Sequence, residues 1–303
     1  MICREKSAVL PKQRSRTSRL TKILLGILLL ILLALLVGLL DNRLVFATYT
    51  VVTEKVTEPV RFVMLSDLHS RIYGEDQEDL LRMIDEAEPD VIFLVGDISD
   101  TWETRDTAGA LLRGITERYP CFYVTGNHEY WSGRSEDILA YYESFGVQIL
   151  EGTSATLEVN GQTIRVCGIT DADAPWYSDM TLSSEAQLDS LAQVTTNGNF
   201  SLLLAHRPEL FELYTTYEYD LVLSGHAHGG QWRIPGLING VAAPSQGWFP
   251  RYAGGWYEEN NTVMIVGRGL ANNAGLIPRF FNPPEVVVVD IIPEGQAGGP
   301  KGE

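Results

Sequence analysis

The chain has 303 residues, a formal net charge of −16 and a pI of about 4.7. Residues 1–40 hold seven basic side chains against one acid, Glu5, a net of +6, so residues 41–303 carry −22. An acidic excess of that size excludes nucleic-acid binding by counterion release, and it repels polyanions except where bound cations offset the field.

The N-terminus is a separate object. Arg4, Lys6, Lys12, Arg14, Arg16, Arg19 and Lys22 fall in residues 1–22, and residues 23–40 then run without a charge or a hydrogen-bonding side chain. About 18 apolar residues suffice to cross a bilayer. A core helix would show a polar face, and this run has none. The basic flank predicts a cytoplasmic tail over 1–22, an uncleaved signal anchor over 23–40, and an extracytoplasmic remainder. Cleavage after Ala47, in Leu44-Val45-Phe46-Ala47-Thr48, is the competing reading. The apolar run exceeds the ~7–15 residues of a signal peptide, which favours the anchor.

Residues 41–58 read as a linker that becomes a first strand, 59–292 as the main domain, and the Gly/Pro-rich 293–303 as a disordered tail. A buried strand over 60–65 ends in Ser66-Asp67-Leu68-His69. Leu80, Leu81 and Ile84 sit at helical spacing within 76–87. A strand over 91–95 ends in Gly96-Asp97-Ile98-Ser99-Asp100, a helix follows near 104–118, and a strand over 122–124 ends in Thr125-Gly126-Asn127-His128-Glu129. Repetition of strand, polar cluster and helix predicts βαβ units and stacked sheets. Ligands in such folds gather at the carboxyl ends of the strands.

Short strands follow over 147–150, 155–159 and 163–167, with Asn160-Gly161 as a hairpin turn. A helix is expected near 185–193, then a strand over 201–205 carrying His206, then a helix entered at Pro208 and running to Tyr214. The apolar segment 220–223 runs into Gly225-His226-Ala227-His228-Gly229-Gly230-Gln231. Strands over 262–266 and 286–291 close a β-rich final third. Cys121 and Cys167 lie in apolar runs and read as buried small hydrophobes.

All five histidines, His69, His128, His206, His226 and His228, are flanked by residues suited to metal or phosphate chemistry. With Asp67, Asp97 and Asn127, and with His128 set apart, the strand ends offer seven oxygen or nitrogen ligands. One divalent ion takes four to six, so seven suggest two ions sharing a carboxylate. Two ions about 3.5–4 Å apart can clamp both the attacking and the leaving oxygen of a phosphoryl displacement. The lack of thiolate ligands argues against a closed structural zinc site.

The ordered series D-x-H, G-D-x-x-D, G-N-H-E, H and G-H-x-H resembles the calcineurin-like metallophosphoesterase superfamily. The N-terminal anchor, the segment from Gly225 to Gln231 and the late Pro278-Arg279-Phe280-Phe281-Asn282-Pro283-Pro284-Glu285 resemble its membrane-associated bacterial branch of the YkuE/YaeI type. The resemblance implies an α/β (α+β) fold, a four-layer αββα sandwich behind one N-terminal transmembrane helix. It implies that Asp67, His69 and His228 hold one ion, that Asn127, His206 and His226 hold the other, and that Asp97 bridges them. It implies a hydroxide activated by the pair, His128 facing the substrate, and Asp100 orienting His128, although Asp100 also suits a helix N-cap. Manganese, iron, zinc and nickel all accept such ligands, with manganese or zinc favoured.

The expected activity is hydrolysis of a phosphodiester or pyrophosphate, with a lipid-linked head group as one candidate. A phosphomonoesterase, a non-catalytic metal-dependent sensor and a membrane scaffold are the alternatives. Thr101 and Trp102 replace the Arg-Gly of protein Ser/Thr phosphatases, and Asp100 stands where purple acid phosphatases have a tyrosine. Arg207, Arg268 and Arg279 are read as structural before phosphate-binding. Trp131, Trp176, Trp248 and Trp256 are open between core packing, stacking a ligand and facing lipid. The oligomeric state is left open.

Overall fold

A computed structural model describes residues 16–296, apart from Met180, Asn272, Gly275 and Leu276. Arg4, Lys6, Lys12 and Arg14 of the predicted basic tail, and 297–303 of the predicted disordered one, lie outside the described residues. The chain divides after Leu40 into two compact units. The first contains helix α1, Arg16–Leu40, whose segment Arg19–Gly38 is long and apolar enough to cross a membrane. Side chains are exposed along that segment on every face.

The second unit opens with strands β1 (Val45–Thr53) and β2 (Val60–Leu65), helix α2 (Glu78–Ala87) and strand β3 (Val91–Val95). Helix α3 (Arg105–Ile115), β4 (Cys121–Val124), helices α4 (Asn127–Trp131) and α5 (Ser135–Glu143), and β5 (Gln148–Ile149) follow. Next come β6 (Thr153–Val159), β7 (Gln162–Gly168), α6 (Ala174–Tyr177), α7 (Ser184–Leu191), β8 (Phe200–Leu204), α8 (Phe211–Tyr214) and β9 (Leu221–Ser224). Two-stranded pairs β10 (Ala242–Ala243) with β11 (Gly247–Trp248) and β14 (Asn273–Ala274) with β15 (Ile277–Pro278) punctuate the last third. There β12 (Gly255–Glu259), β13 (Thr262–Val266) and β16 (Glu285–Pro293) complete the sheets.

Two six-stranded sheets result, in the orders β1-β16-β2-β3-β4-β5 and β12-β13-β9-β8-β7-β6. Alternate residues of β3 show why the strands read as unbroken apolar runs. Val91, Phe93 and Val95 point between the sheets with Phe62, Met64, Ile164, Val166, Leu202 and Leu223. Ile92 and Leu94 point the other way, against Leu80, Ile84, Leu111 and Ile138 of the covering helices. Leu203, Val222 and Met264 meet Leu188, Phe211 and Tyr214 on the far face. Four layers, helix–sheet–sheet–helix, follow from strands buried on both faces.

Several elements differ from expectation. β1 begins at Val45, early in the segment expected as a linker, because its partner is β16, 240 residues away in the register Val45–Glu285. Such pairing is invisible to local pattern. Helices α4 and α5 were not expected; both are short, and α4 starts directly on a glycine. β16 runs to Pro293 and a 3₁₀ turn covers Glu294–Gln296, so ordered chain continues past the expected boundary at 292. Cys121 and Cys167 are buried free thiols.

Candidate metal centre

Parallel strands deliver the site. Asp67, Asp97 and Asn127 follow the carboxyl ends of β2, β3 and β4 by two or three residues, and His206 and His226 likewise follow β8 and β9 of the other sheet. All seven candidate ligands therefore meet at one end of the sandwich. Asp67, His69 and His228 present ligand atoms within 4.8 Å of one another, and so do Asp97, His206 and His226. Asp97 also lies within that distance of His69 and His128, which links the two groups. Asn127 is buried at the start of α4.

The backbone is bent to bring these atoms together. Asp67, His69, Asp97, His226 and His228 all have φ between 48° and 64°. Side chains other than glycine's rarely adopt this region, and each such residue costs on the order of 1 kcal/mol. Strain of this kind persists where the surrounding structure fixes it, and it concentrates at functional sites. Here the fixing bonds are visible. Asp67 and His69 donate their N–H groups to the carbonyls of Gly96 and Asp97, both at 3.0 Å, and the His226 N–H donates to Asp67 Oδ1 at 2.9 Å. Gly96, at φ +77°, is obligatory: a Cβ there would lie 2.4 Å from His206 Nδ1.

Glu129, the last residue of the G-N-H-E series, is fully buried and received no role from the sequence. Its carboxylate accepts the N–H groups of Asp97 (3.0 Å), Ile98 (2.8 Å), Ser99 (3.2 Å) and Gly126 (2.9 Å). It thereby ties the Asp97 loop to the Asn127 loop. Burial and the neighbouring Asp97 push its pKa up, and the N–H groups of Gly126 and Ser99 oppose that rise.

Asp100 serves two histidines. Its Oδ1 lies 2.6 Å from His69 Nδ1 and 3.0 Å from His128 Nδ1. Burial acts against its charge, but the bonds from His128 and His69 prevail and hold the carboxyl well below the usual range. It is not a helix cap; Thr101 occupies that place before the turn Trp102–Thr104. The His128 ring lies against Trp131, with centroids 4.9 Å apart, and the Trp131 indole N–H donates to Asp173 Oδ2 at 3.0 Å.

The three arginines are all committed within the protein. Arg207 pairs with both oxygens of Asp171 and with Asp173. Arg268 pairs with Glu285. Arg279, buried among backbone carbonyls, donates to those of Ala271 and Arg268 at 2.6 Å, and burial brings its pKa down to about 10. Of the four tryptophans left open, none is in the core: Trp176 and Trp248 are strongly exposed, and Trp131 and Trp256 are partly so.

The donor set fits divalent cations. His206 Nδ1 donates to the Val95 carbonyl at 2.9 Å, which turns Nε2 toward Asp97 Oδ2 at 3.2 Å without hydrogen-bond geometry. Asn127 Oδ1 and His228 Nδ1 are buried without partners, and His228 Nε2 faces His69 Nε2 at 3.2 Å. A buried amide oxygen without a partner, as at Asn127, calls for a ligand such as a cation. The carboxylates also claim positive charge. Against the opposing effect of burial, Asp97 and its neighbours raise His206 to about 10, and Asp100 and Asp97 raise His69 to about 9. Burial and the neighbouring cationic groups hold His226 and His228 well below the usual imidazole value.

A profile of the calcineurin-like phosphoesterase family matches residues 60–230, a span that contains every residue of this centre. The chain is 26% identical over 251 residues to an uncharacterised metallophosphoesterase of Helicobacter pylori, an overlap of 82% of this chain and 64% of that protein. It therefore spans just under two thirds of that relative's length. It is 29% identical over 234 residues to metallophosphoesterase YkuE of Bacillus subtilis, covering 75% of this chain and 77% of YkuE. A transmembrane protein with metallophosphoesterase domain from Danio rerio is 30% identical over 194 residues, covering 60% of this chain and 44% of that one. The chain belongs to the calcineurin-like phosphoesterase family.

Proposed function

We propose that this calcineurin-like phosphoesterase is a membrane-anchored hydrolase that cleaves a phosphodiester or pyrophosphate bond, on a lipid-linked substrate, at a centre for two divalent cations. The observation that carries the reading is the convergence of six carboxylate and imidazole ligands in linked groups, with the buried and unpartnered Asn127 Oδ1 on the adjoining loop. Asp67, His69 and His228 hold one cation, Asn127, His206 and His226 the other, and Asp97 both. Manganese or zinc suits this mixed imidazole and carboxylate set, and iron and nickel also fit. When bound, two such cations supply charge to phosphate oxygens and bring water to a nucleophilic state at neutral pH.

The side chains supply the rest. His128 is partly exposed, and since Nδ1 is engaged by Asp100, Nε2 is the nitrogen left to meet a substrate. It protonates the leaving oxygen, a role typically worth ~10²–10⁴-fold. Asp100 positions it, and Trp131 restricts the ring from the other side. Helix α1 anchors the chain, which its exposed apolar segment Arg19–Gly38 supports, and the basic flank argues for 1–22 cytoplasmic and 41–303 outside. The acidic charge of 41–303 leaves nucleic acid outside the substrate range.

One observation favours a different place for His128: it forms a three-residue group with His69 and Asp97. The test separates the two roles. The metal-loaded full chain in detergent is assayed on phosphomonoesters, phosphodiesters and lipid pyrophosphates, alongside His128→Ala and Asp97→Asn. His128→Ala should retain both cations and lose turnover of a diester, whereas loss of a cation would make it a ligand. Full cation content and turnover in Asp97→Asn would remove the bridging role.

A further inference from the structure

The loop that follows the His226–His228 turn is unlike the rest of the second unit. Residues 232–249 contain no acid and one charge, Arg233, within a segment of chain that carries −22 overall. Its large side chains face outward. Leu237 is 79% exposed, Trp248 76% and Phe249 68%, and Trp232 and Ile234 are also exposed. Single exposed apolar residues are ordinary, but a contiguous group marks an interaction surface.

Backbone bonds make this group one lobe. The Val241 N–H donates to the carbonyls of Gly230 (3.0 Å) and Trp232 (2.9 Å), and the Phe249 N–H donates to the Val241 carbonyl at 2.8 Å. Ala242 pairs with Trp248 across β10 and β11, and a tight turn closed by Ile234 N–H to the Ile238 carbonyl presents Leu237. The lobe also reaches inward. Ser245 Oγ lies 3.3 Å from His226 Nε2 and accepts from Arg207 Nη1 at 2.9 Å. The apolar tips and the metal centre therefore share one end of the sandwich. Phe249 holds φ at +55°, a strained setting for an aromatic residue that points its ring into solvent.

The chain also enters the second unit at this end. Val45 of β1 pairs with Glu285, and its N–H donates to the Pro284 carbonyl. Glu285 lies beyond the Val287–Met64 pair, toward the Asp67 end of β2, and Asn282 beside it donates to the His228 carbonyl at 2.7 Å. Only residues 41–44 separate α1 from β1, an extended reach of about 14 Å.

We infer that the lobe 232–249 is a membrane-docking surface, whose Trp232, Leu237, Trp248 and Phe249 enter the lipid interface of the bilayer that holds α1, so that the metal centre opens onto the membrane. Tryptophan and phenylalanine favour the bilayer interface. An acidic unit cannot use anionic lipid for attachment, so apolar insertion is the mode left to it. For its catalytic consequence, delivery of lipid-linked phosphate esters, the inference rests on the function proposed above; the docking itself does not.

The test uses the full chain in vesicles of phosphatidylcholine and phosphatidylglycerol that carry a diazirine on the acyl chain. Photolysis should label peptides from 232–249 as well as α1. Label in α1 alone overturns the inference. The double variant Trp248→Asp/Phe249→Asp should lose that label and cleave a phosphodiester lipid in the same vesicles at least tenfold more slowly. Its turnover of water-soluble bis(4-nitrophenyl) phosphate should be unchanged, which also shows that the fold is intact. Equal loss on both substrates overturns a docking role. Lobe labelling in a chain that cleaves neither substrate leaves docking standing and removes the proposed hydrolysis.

Discussion

Glu129→Gln isolates the bond set that holds the two carboxyl-end loops together. Oε1 accepts from Ile98 and Ser99, and Oε2 from Asp97 and Gly126. Four donors occupy the four lone-pair positions of a carboxylate, which leaves no room for a proton. An amide turned either way puts an NH₂ group against two backbone N–H groups. Bonds to a charged acceptor are worth about 1.5–3 kcal/mol each, so the loss is roughly 3–6 kcal/mol. Relief from burying a charge offsets part of this, and about 3 kcal/mol remains. That is less than the 5–15 kcal/mol of an ordinary domain, so the variant should fold. Denaturant unfolding of the full chain in detergent should show the drop. Metal analysis should show both cations weakened, because Asp97 and Asn127 lose their common support. A change below about 1 kcal/mol with full cation content would refute the account of Glu129 as the tie between the loops.

Other outcomes follow from the same geometry. Since His206 and His69 titrate at about 10 and about 9 without cations, cation binding between pH 6 and 8 must displace two protons. One proton leaves with each cation, so the apparent affinity for each should rise about 10-fold per pH unit, and about 100-fold for the pair; titration calorimetry in buffers of different ionisation enthalpy should report both protons, and a heat independent of buffer refutes this. Asp100→Asn weakens the anchor of both His69 and His128, and kcat on a diester should fall ~10–100-fold with the fold intact by circular dichroism; an unchanged kcat would show that the two bonds are incidental. Gly96→Ala places a Cβ 2.4 Å from His206 Nδ1 at φ +77°, so stability should drop by about 2 kcal/mol or more and cation content with it, whereas a wild-type melting temperature and full cation content would contradict the packing argument.

The strands were legible because burial on both faces turns them into unbroken apolar runs, as in Val91-Ile92-Phe93-Leu94-Val95. The ligands were legible for a related reason: an ionisable residue directly after such a run can only emerge at a strand end. Glu129 was not legible, because its work is done on backbone N–H groups that have no signature in sequence. Nor was the left-handed backbone at Asp67, His69, Asp97, His226 and His228, since none of these is a glycine. β1 could not be placed without β16, nor the lobe 232–249 without the turn at Gly230.

These gaps share a physical cause. Sequence pattern reports which groups seek water and which avoid it, and so it finds layers and ionisable clusters. It does not report which backbone groups must be satisfied once the layers close. In this chain those obligations fall on Glu129, while Asp100 holds two imidazole rings, so that both carboxylates are spent on holding other residues still. One oxygen of Asp100 engages both His69, assigned to a cation, and His128, assigned to the substrate. A displacement of either ring must therefore be felt by the other. Cation binding at His69 and the aim of His128 are coupled through a single atom, and loss of that cation should misplace the proton donor even where His128 is untouched.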